Sequence, residues 1–197
     1  MNGINEESVG LSKLQAIIRG RRSREVHGKR AKGGAAIVCP FVSANASVVD
    51  ELLQLVDIGK HDTVLDIGSG DGTILLEIAS RLHAQCVGVE IDQVLCRTAR
   101  RRAQEQNLAD HIDIINEDAL HVQRHLQLAS VITIFLVPSC LQVLSPKLRA
   151  SCRSGTKIVN IKFPLPKEDG WVAVNTIECE DVIKPGSFTN IYLYIID

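Results

Sequence analysis

The sequence is poor in aromatic residues, which make up 4% of its 197 positions and include one Trp and two Tyr. A chain of this kind lacks the aromatic side chains on which single-stranded nucleic acid stacks. It also lacks an apolar run of the roughly 18 residues that a membrane-spanning helix needs. Its formal net charge is −1, so there is no strong basic field to attract nucleic acid. We therefore expect a globular domain with no transmembrane segment, and the composition counts against a nucleic-acid partner.

The six Cys residues lack the spacing of a metal site, because no two of them form a C-x-x-C pair and no His lies at zinc spacing from them. No metal is therefore expected. An even number of Cys suits disulfides in short secreted chains, and no signal-peptide pattern is recognisable here. Most of the six lie in apolar runs, so we expect reduced thiols that pack as small hydrophobic side chains. They are Cys39, Cys86, Cys96, Cys140, Cys152 and Cys179.

Charge is distributed unevenly, with a net of +5 in residues 1–34 and −6 in residues 35–197. The basic segment has a short helical pattern at residues 11–18, followed by seven cations within residues 19–32. Three interpretations of it stay open: a solvated tail, contact with an acidic partner, or a mitochondrial presequence, against which its acidic residues count. We divide the chain into a basic leader, residues 1–34, and a folded domain, residues 35–197.

Strand patterns and helical patterns alternate five times in the folded domain, and two further strand patterns, residues 171–179 and 188–196, end it. The longest run of apolar, β-branched residues, 129–136, predicts a central strand that is covered on both faces. A helical pattern follows, interrupted near Ser145 and Pro146. The alternation predicts an α/β fold, Rossmann-like, with a mostly parallel sheet, helices on both faces and a C-terminal antiparallel hairpin.

A glycine-rich stretch, Asp66-Ile-Gly-Ser-Gly-Asp-Gly72, joins the first strand pattern to a helical one. Its third glycine comes one place too early for the dinucleotide fingerprint G-x-G-x-x-G, and no P-loop lysine follows. An acid at the strand end suits a cationic ligand better than a pyrophosphate. S-adenosylmethionine carries a sulfonium and an ammonium and no phosphate, so the stretch favours it over a nicotinamide cofactor.

Two more acids follow the next two strand patterns. Glu90 ends the second one, where a carboxylate can accept both ribose hydroxyls. Asp118 follows the third, where it can accept from an adenine amine beside the N–H of Ala119. Because the carboxyl ends of parallel strands meet at one edge, these acids are expected to line one crevice. Other interpretations stay open: Asp66 as a capping or loop acid, Glu90 as a solvated one, and Glu117 in place of Asp118.

Together these motifs resemble the class I S-adenosylmethionine-dependent methyltransferases, and the resemblance covers about residues 40–197. It implies a sheet of seven strands whose last strand is antiparallel. It also implies a cofactor site that is built from the glycine stretch and the two strand-end acids with their neighbours. The expected cofactor-binding residues are Asp66, Gly68, Ser69, Gly70, Gly72, Glu90, Ile91, Asp118 and Ala119. The basic side chains that follow Glu90 are expected to form a solvated face; they are Arg97, Arg100, Arg101 and Arg102.

Three further stretches resemble the small protein-lysine methyltransferases of the ATP synthase c subunit and the adenine nucleotide translocase, with their bacterial relatives. They are residues 40–45, 135–139 and 162–166. The chain departs from that family at Ser43, where the family tends to have Pro. The resemblance implies a lysine side chain of a protein as the methyl acceptor. Its apolar pocket is expected to be lined by Phe41, Val137, Pro138, Phe163 and Pro164, for which ordinary packing is the other interpretation.

The segment after the fourth strand lacks the Asn or Asp and the aromatic residue that amino-methylating nucleic-acid enzymes carry there. Ser139 separates Pro138 from Cys140, which counts against a cytosine-carbon methylase. We therefore expect methyl transfer to a lysine amine by in-line displacement, in the cytoplasm or, as the alternative, in mitochondria. The other candidate functions are methylation of RNA or a small molecule, and non-catalytic binding of S-adenosylmethionine. The sequence leaves the oligomeric state open.

Overall fold

Helices and strands alternate along residues 41–197, the part of the chain that this computed structural model describes. The predicted leader and the boundary after residue 34 lie outside the described residues. The helices are α1 Ala46–Leu55, α2 Thr73–Leu82, α3 Gln93–Glu105, α4 Gln123–Leu128 and α5 Pro138–Ser151, with short 3-10 helices at Ala119–His121 and Lys167–Asp169. The strands are β1 Thr63–Ile67, β2 Gln85–Glu90, β3 Ile112–Asn116, β4 Val131–Ile134, β5 Lys157–Ile161, β6 Asn175–Glu180 and β7 Phe188–Ile195.

The seven strands form a sheet in the order β3-β2-β1-β4-β5-β7-β6. Strands β1 to β5 pair in parallel, whereas β7 lies antiparallel between β5 and β6. This confirms the predicted mostly parallel α/β sheet with a C-terminal antiparallel hairpin. Because five parallel strands end at the same edge, the loops that follow β1, β2, β3, β4 and β5 meet there.

Two apolar layers cover the two faces of the sheet. The α1 layer lies between the sheet and helices α1, α2 and α3, and its members include Leu52, Leu75 and Ala99. The α5 layer lies between the sheet and helices α4 and α5, and its members include Leu126 and Leu141. Both faces of the central strands are therefore buried, which explains their nearly continuous apolar sequences. Within the described residues, no helix combines the length and apolarity that crossing a membrane requires.

Element boundaries differ from the sequence prediction at three places. Strand β4 ends at Ile134, two residues earlier than its apolar pattern, because the chain turns there toward the start of α5. Helix α5 continues through Pro146, which is exposed, although an interruption was predicted at that point. Strand β6 begins at Asn175 and not at Trp171. The indole of Trp171 donates to the Ser145 hydroxyl at 2.6 Å and packs in the α5 layer instead of extending the strand.

The cysteines follow the sequence expectation at four of the five described positions. Cys86, Cys96, Cys152 and Cys179 are free thiols. Burial raises the pKa of Cys86 to about 12 and that of Cys152 to about 11, so both stay protonated at neutral pH. Cys140 is disulfide-bonded, so the expectation of a reduced thiol is wrong at that position.

Gly88 lies in the middle of β2, where side chains of the loop after β1, of β3 and of α2 pack against its backbone. A Cβ added there would lie 2.6 to 2.8 Å from side-chain atoms of Ser69, Ile114 and Leu75. We expect Gly88→Ala to lower the free energy of unfolding by about 1–3 kcal/mol, because three buried side chains must move. Urea unfolding measures this. The control is Gly59→Ala, whose Cβ would meet a single atom, at 3.8 Å; equal losses in both variants would contradict the prediction.

Candidate functional site

The glycine loop, residues 68–72, connects β1 to α2 at the carboxyl edge of the sheet. Gly68, Gly70 and Gly72 have φ values of 77°, 56° and 81°, which residues with a Cβ rarely adopt. The N–H groups of Gly68 and Ser69 both donate to the carbonyl oxygen of Val89 in β2, at 2.8 and 3.0 Å. The start of the loop is therefore fixed to the neighbouring strand β2, and three positions of the loop have backbone conformations that favour glycine.

Glu90, the last residue of β2, fixes the loop at a second point. Its Oε2 accepts from the N–H of Gly70 at 2.9 Å, and its Oε1 accepts from the N–H of Asp92 at 2.8 Å. The residue is 8% exposed, and burial raises the pKa of its carboxyl while the two backbone N–H groups oppose that rise. Glu90 therefore joins the glycine loop to the start of α3, a role that the sequence did not indicate.

Asp66 lies near the end of β1 and is 2% exposed. Its Oδ1 accepts from the hydroxyl of Thr133 in β4 at 2.7 Å. Burial raises the pKa of Asp66 to about 7; the Thr133 hydrogen bond opposes this rise, and the charges of Glu90 and Asp71 add to it. None of the ion pairs between described residues includes Asp66. A buried carboxyl without a counter-ion is suited to a cationic group of a ligand.

The ends of β2 and β3 are tied together by Asn116. Its side-chain amide donates to the carbonyl oxygens of Glu90 and Ile91, both at 3.0 Å. The segment that follows Asn116 therefore begins beside the residues predicted to bind a ribose.

Asp118 is half-buried and caps the 3-10 helix that begins at Ala119, because its carboxylate accepts from the N–H of Leu120 at 2.9 Å. Glu117, the other candidate at this position, is exposed, and its carboxylate accepts from the N–H of Asp118 at 2.9 Å. The half-buried position of Asp118 makes it the better candidate of the two. Ile91 is exposed at the same edge.

Apolar side chains cover the glycine loop on its outer side. A Cβ added at Gly70 would lie 2.3 Å from Cε2 of Phe41, and one added at Gly68 would lie 2.8 Å from Cδ2 of Leu136. Phe41 is 44% exposed, so its ring lies between the loop and solvent. The structure thus brings Phe41 and the segment after β4 to the predicted cofactor site.

The remaining predicted acceptor residues lie along the same edge. Val137 is the half-buried N-cap of α5, and Pro138 is the exposed first residue of that helix. The carbonyl oxygen of Val137 already accepts from two helical N–H groups, those of Cys140 and Leu141, at 2.9 and 3.1 Å. Phe163 follows β5, the strand next to β4, and packs against the α5 layer.

One residue of this site, Arg102 in α3, was expected on a solvated face, and that expectation is wrong. Its guanidinium donates to the carbonyl oxygen of Asp71 at 2.9 Å and to the hydroxyl of Thr73 at 2.8 Å, and it lies 2.8 Å from the Asp71 carboxylate. Ala99, one turn earlier, is the small residue on which Gly72 packs, since a Cβ there would lie 3.0 Å from that of Ala99.

The donor set fits S-adenosylmethionine on the chemistry of these residues. Asp66 and Glu90 are buried acids near a loop with no phosphate-binding lysine, which suits a ligand with cationic groups and ribose hydroxyls. The buried hydroxyl oxygen of Ser69 has no hydrogen-bond partner among the described residues, which a polar ligand atom can supply. Residues 41–197 contain no cluster of three or more His, Cys, Asp or Glu side chains arranged to hold a metal ion.

Comparison with known proteins agrees with this chemistry. Residues 66–171 match the family model described as the ANTKMT methyltransferase domain. A protein-lysine N-methyltransferase of Saccharolobus islandicus is 29% identical over 80% of this chain and 93% of its own length. The adenine nucleotide translocase lysine N-methyltransferase of Mus musculus is 32% identical over 64% of this chain. The matched region covers 54% of the length of that relative.

Among solved structures, an RNA methyltransferase from Salinibacter ruber in complex with S-adenosyl-L-homocysteine superposes with a TM-score of 0.69. It is 30% identical and covers 79% of this chain and 95% of its own. S-adenosylhomocysteine is what remains of S-adenosylmethionine after its methyl group is transferred. Since the family model matches more than half of the sequence, the chain belongs to the family of the ANTKMT methyltransferase domain and is a methyltransferase that uses S-adenosylmethionine.

Proposed function

We propose that the protein transfers a methyl group from S-adenosylmethionine to the amine of a lysine side chain in a protein substrate. The observation that carries this proposal is the apolar cover of the glycine loop, made by Phe41 on Gly70 and Leu136 on Gly68. An apolar cover excludes water from both reactants, which favours displacement at a sulfonium. When it is bound, S-adenosylmethionine supplies an electrophilic methyl group.

The cofactor side of the proposed site uses the residues that the sequence indicated. Asp66 provides a buried negative charge for a cationic group, Glu90 offers carboxylate oxygens near the ribose position, and Asp118 offers an acceptor to the adenine amine. The glycine loop lets the backbone approach the ligand closely. We assign cofactor binding to Asp66, Gly68, Ser69, Gly70, Gly72, Glu90, Ile91, Asp118 and Ala119.

The acceptor side has to bind a lysine amine in its neutral form, because only the free base carries a lone pair for the displacement. In water the pKa of this amine is about 10.4, and burial among apolar side chains lowers it. We assign that burial to Phe41, Val137, Pro138 and Phe163. The carbonyl oxygen of Val137 already accepts two hydrogen bonds within helix α5. We therefore assign Val137 an apolar contact with the lysine side chain and no hydrogen bond to its amine.

The charge of the domain supports a protein acceptor over RNA. Residues 41–197 contain fourteen Lys and Arg against twenty Asp and Glu. An acidic domain attracts a lysine-bearing segment and repels a phosphate backbone. RNA remains the second candidate, because the Salinibacter ruber relative, which this chain covers to 95%, is named as an RNA methyltransferase.

Radiolabelled S-adenosylmethionine, incubated with the full chain and separate fractions of total protein, total RNA and metabolites, tests the acceptor. We expect label in the protein fraction, recovered after acid hydrolysis as methylated lysine. The Gly70→Ala variant is the control for contaminating activity, because its Cβ would overlap the Phe41 ring. Label in RNA alone would support the second candidate, and binding without transfer to any fraction would indicate a non-catalytic protein.

We propose a cytoplasmic location for the full chain, with mitochondria as the alternative. The alternative is supported by the basic composition of residues 1–34, which hold eight Lys and Arg. Fractionation of cells that express the full chain distinguishes the two.

A further inference from the structure

The chain makes a tight turn immediately after β5. The N–H of Phe163 donates to the carbonyl oxygen of Ile161 at 3.0 Å, and Lys162 between them has a φ of 75°. A hydrogen bond between residues i and i+2 defines a γ-turn. A positive φ at the central residue makes it the rare form of that turn, which is strained for a residue with a Cβ. Strain of this kind persists only where the surrounding contacts impose it.

The turn exchanges the faces on which two side chains lie. Ile161 packs in the α1 layer, so strand alternation would place Lys162 on the α5 side and Phe163 on the α1 side. The structure shows the reverse. Lys162 forms an ion pair with Asp181, and both charges act on the thiol of Cys179, which lies in the α1 layer, while Phe163 packs against the α5 layer. Without the turn, Phe163 would leave the side of the sheet on which Leu136 lies.

Three contacts impose the turn. The Lys162 ammonium pairs with the Asp181 carboxylate, and these side chains are only 17% and 8% exposed. The N–H of Lys162 donates to the carbonyl oxygen of Asn190 in β7 at 2.8 Å, and the side-chain amide of Asn160 donates to the carbonyl oxygen of Phe163. Asp181 is itself held, because its Oδ1 accepts from the N–H of Ile183 at 2.8 Å.

The turn stands beside the segment that begins α5. Strands β4 and β5 are parallel neighbours in which Ile134 pairs with Asn160, so Leu136 and Lys162 each follow by two residues. Leu136 and Phe163 both pack against the α5 layer. The turn therefore places Phe163 on the same side of the sheet as Leu136, which covers the glycine loop.

We propose that Lys162, Asp181 and Asn160 are positioning residues of the acceptor pocket, which act by holding a strained turn that keeps Phe163 on the α5 side. This inference rests on the proposed function, since it takes Phe163 as one wall of that pocket. The proposal assigns these three residues no contact with cofactor or acceptor. Their loss changes acceptor use and leaves cofactor affinity unchanged.

The first test is Asp181→Asn, which keeps the shape and the acceptor for Ile183 but removes the charge that holds Lys162. Initial rates are measured with radiolabelled S-adenosylmethionine and increasing total-protein fraction. We expect kcat/KM for the acceptor to fall by roughly 10- to 100-fold, as for a displaced wall of a reactive site. Calorimetry should give an unchanged Kd for S-adenosylmethionine, and hydrogen exchange should be faster at the Phe163 amide. The control is Glu178→Gln, an exposed acid on the same hairpin.

The second test is the double variant Lys162→Gly/Asp181→Asn. Glycine adopts a φ of this sign without strain, so the turn no longer needs the ion pair, and no buried charge is left unpaired. We expect the double variant to regain most of the kcat/KM for the acceptor that Asp181→Asn loses. Protection of the Phe163 amide from hydrogen exchange should also recover. A double variant as impaired as the single one would overturn the proposal, and so would an equal loss of cofactor affinity in Asp181→Asn. If the unaltered protein methylates no protein, the proposed function fails, while amide exchange still decides whether the ion pair holds the turn.

Discussion

Glu90→Gln is expected to weaken the binding of S-adenosylmethionine by about 100-fold. Both carboxylate oxygens of Glu90 accept backbone N–H groups, those of Gly70 and Asp92. Glutamine offers one oxygen, so its NH₂ group would face one of these donors and leave it unsatisfied, at a cost of about 1–3 kcal/mol. The loss of the charge near the ribose hydroxyls adds to this. A total near 3 kcal/mol corresponds to about 100-fold in Kd.

Calorimetric titration with S-adenosylmethionine measures the change in Kd. The matched control is Glu117→Gln, which replaces an exposed acid after the neighbouring strand and is expected to bind within about twofold of the unaltered protein. Hydrogen exchange at the Gly70 amide gives a second measure, because that N–H loses its acceptor if glutamine turns its NH₂ toward the loop. A Glu90→Gln protein that binds within threefold of the unaltered one would contradict the prediction.

Much of the fold could be predicted from the sequence, because the α/β pattern is local. Strand β1 and helix α2 are separated by a glycine loop whose positive φ values only glycine tolerates well, so the pattern at residues 68–72 fixes that junction. The five alternating strands and the closing antiparallel hairpin were predicted from the sequence patterns, and the resemblance implied the same sheet of seven strands. The end of β4 and the start of β6 could not be predicted, because the packing of side chains such as Trp171 against α5 decides them.

The candidate site was predictable where a residue's role follows from its position at a strand end. Asp66 and Glu90 both lie near the ends of their strands, at the edge of the sheet that carries the glycine loop, and their contacts with a cofactor stay a prediction. Two contacts could not be predicted from the sequence: the hydrogen bond from the Gly70 N–H to Glu90, and the hydrogen bond from Arg102 to the Asp71 carbonyl. Each joins segments that lie 20 to 31 residues apart. The turn at Lys162 carries no sequence signal, because a lysine adopts that φ only under the constraint of Asp181 and Asn160.

The two buried acids that we propose for the cofactor site differ in which hydrogen bonds compensate their burial. Glu90 accepts two backbone N–H groups, whereas Asp66 has one hydroxyl donor, from Thr133. The loop acid Asp71 has Arg102 as a counter-ion at 2.8 Å, and Asp66 has none among the described residues. A cationic ligand therefore gains most at Asp66, and the unoccupied protein is destabilised there most when that carboxyl ionises.

Asp66→Asn is expected to stabilise the ligand-free protein at alkaline pH. Burial raises the pKa of Asp66 from 3.8 to about 7, so between these values the unfolded chain ionises first and stability falls as pH rises. Below 3.8 the carboxyl is protonated in both states and contributes no difference, and above about 7 the loss is complete. That loss is on the order of 4 kcal/mol. Asparagine does not ionise, so the gain in unfolding free energy should be large at pH 8 and small near pH 4.

Asp62, at the other end of β1, provides a control of opposite sign. Its partial burial raises its pKa, but hydrogen bonds from Ser130 and the Gly59 N–H outweigh this, and the net shift is downward. Asp62→Asn should therefore lower the stability above pH 4, where Asp66→Asn raises it. Urea unfolding of both variants between pH 4 and pH 8 checks the contrast, and two effects of the same sign would refute the assignment.

The same carboxyl should make cofactor binding depend on pH. A cationic ligand favours the ionised form of Asp66, so binding below about pH 7 releases a proton, and affinity should rise with pH up to that point. The buried thiol of Cys86 stays protonated over this range, because burial raises its pKa to about 12. Burial also raises the pKa of Glu90, which adds to the same trend.

Titrations at pH 5.5 and 8 in buffers of different ionisation enthalpy measure the proton release on cofactor binding. Asp66→Asn should bind at least tenfold more weakly at pH 8 and lose most of the pH dependence; a variant with an unchanged slope would assign the dependence to Glu90 instead.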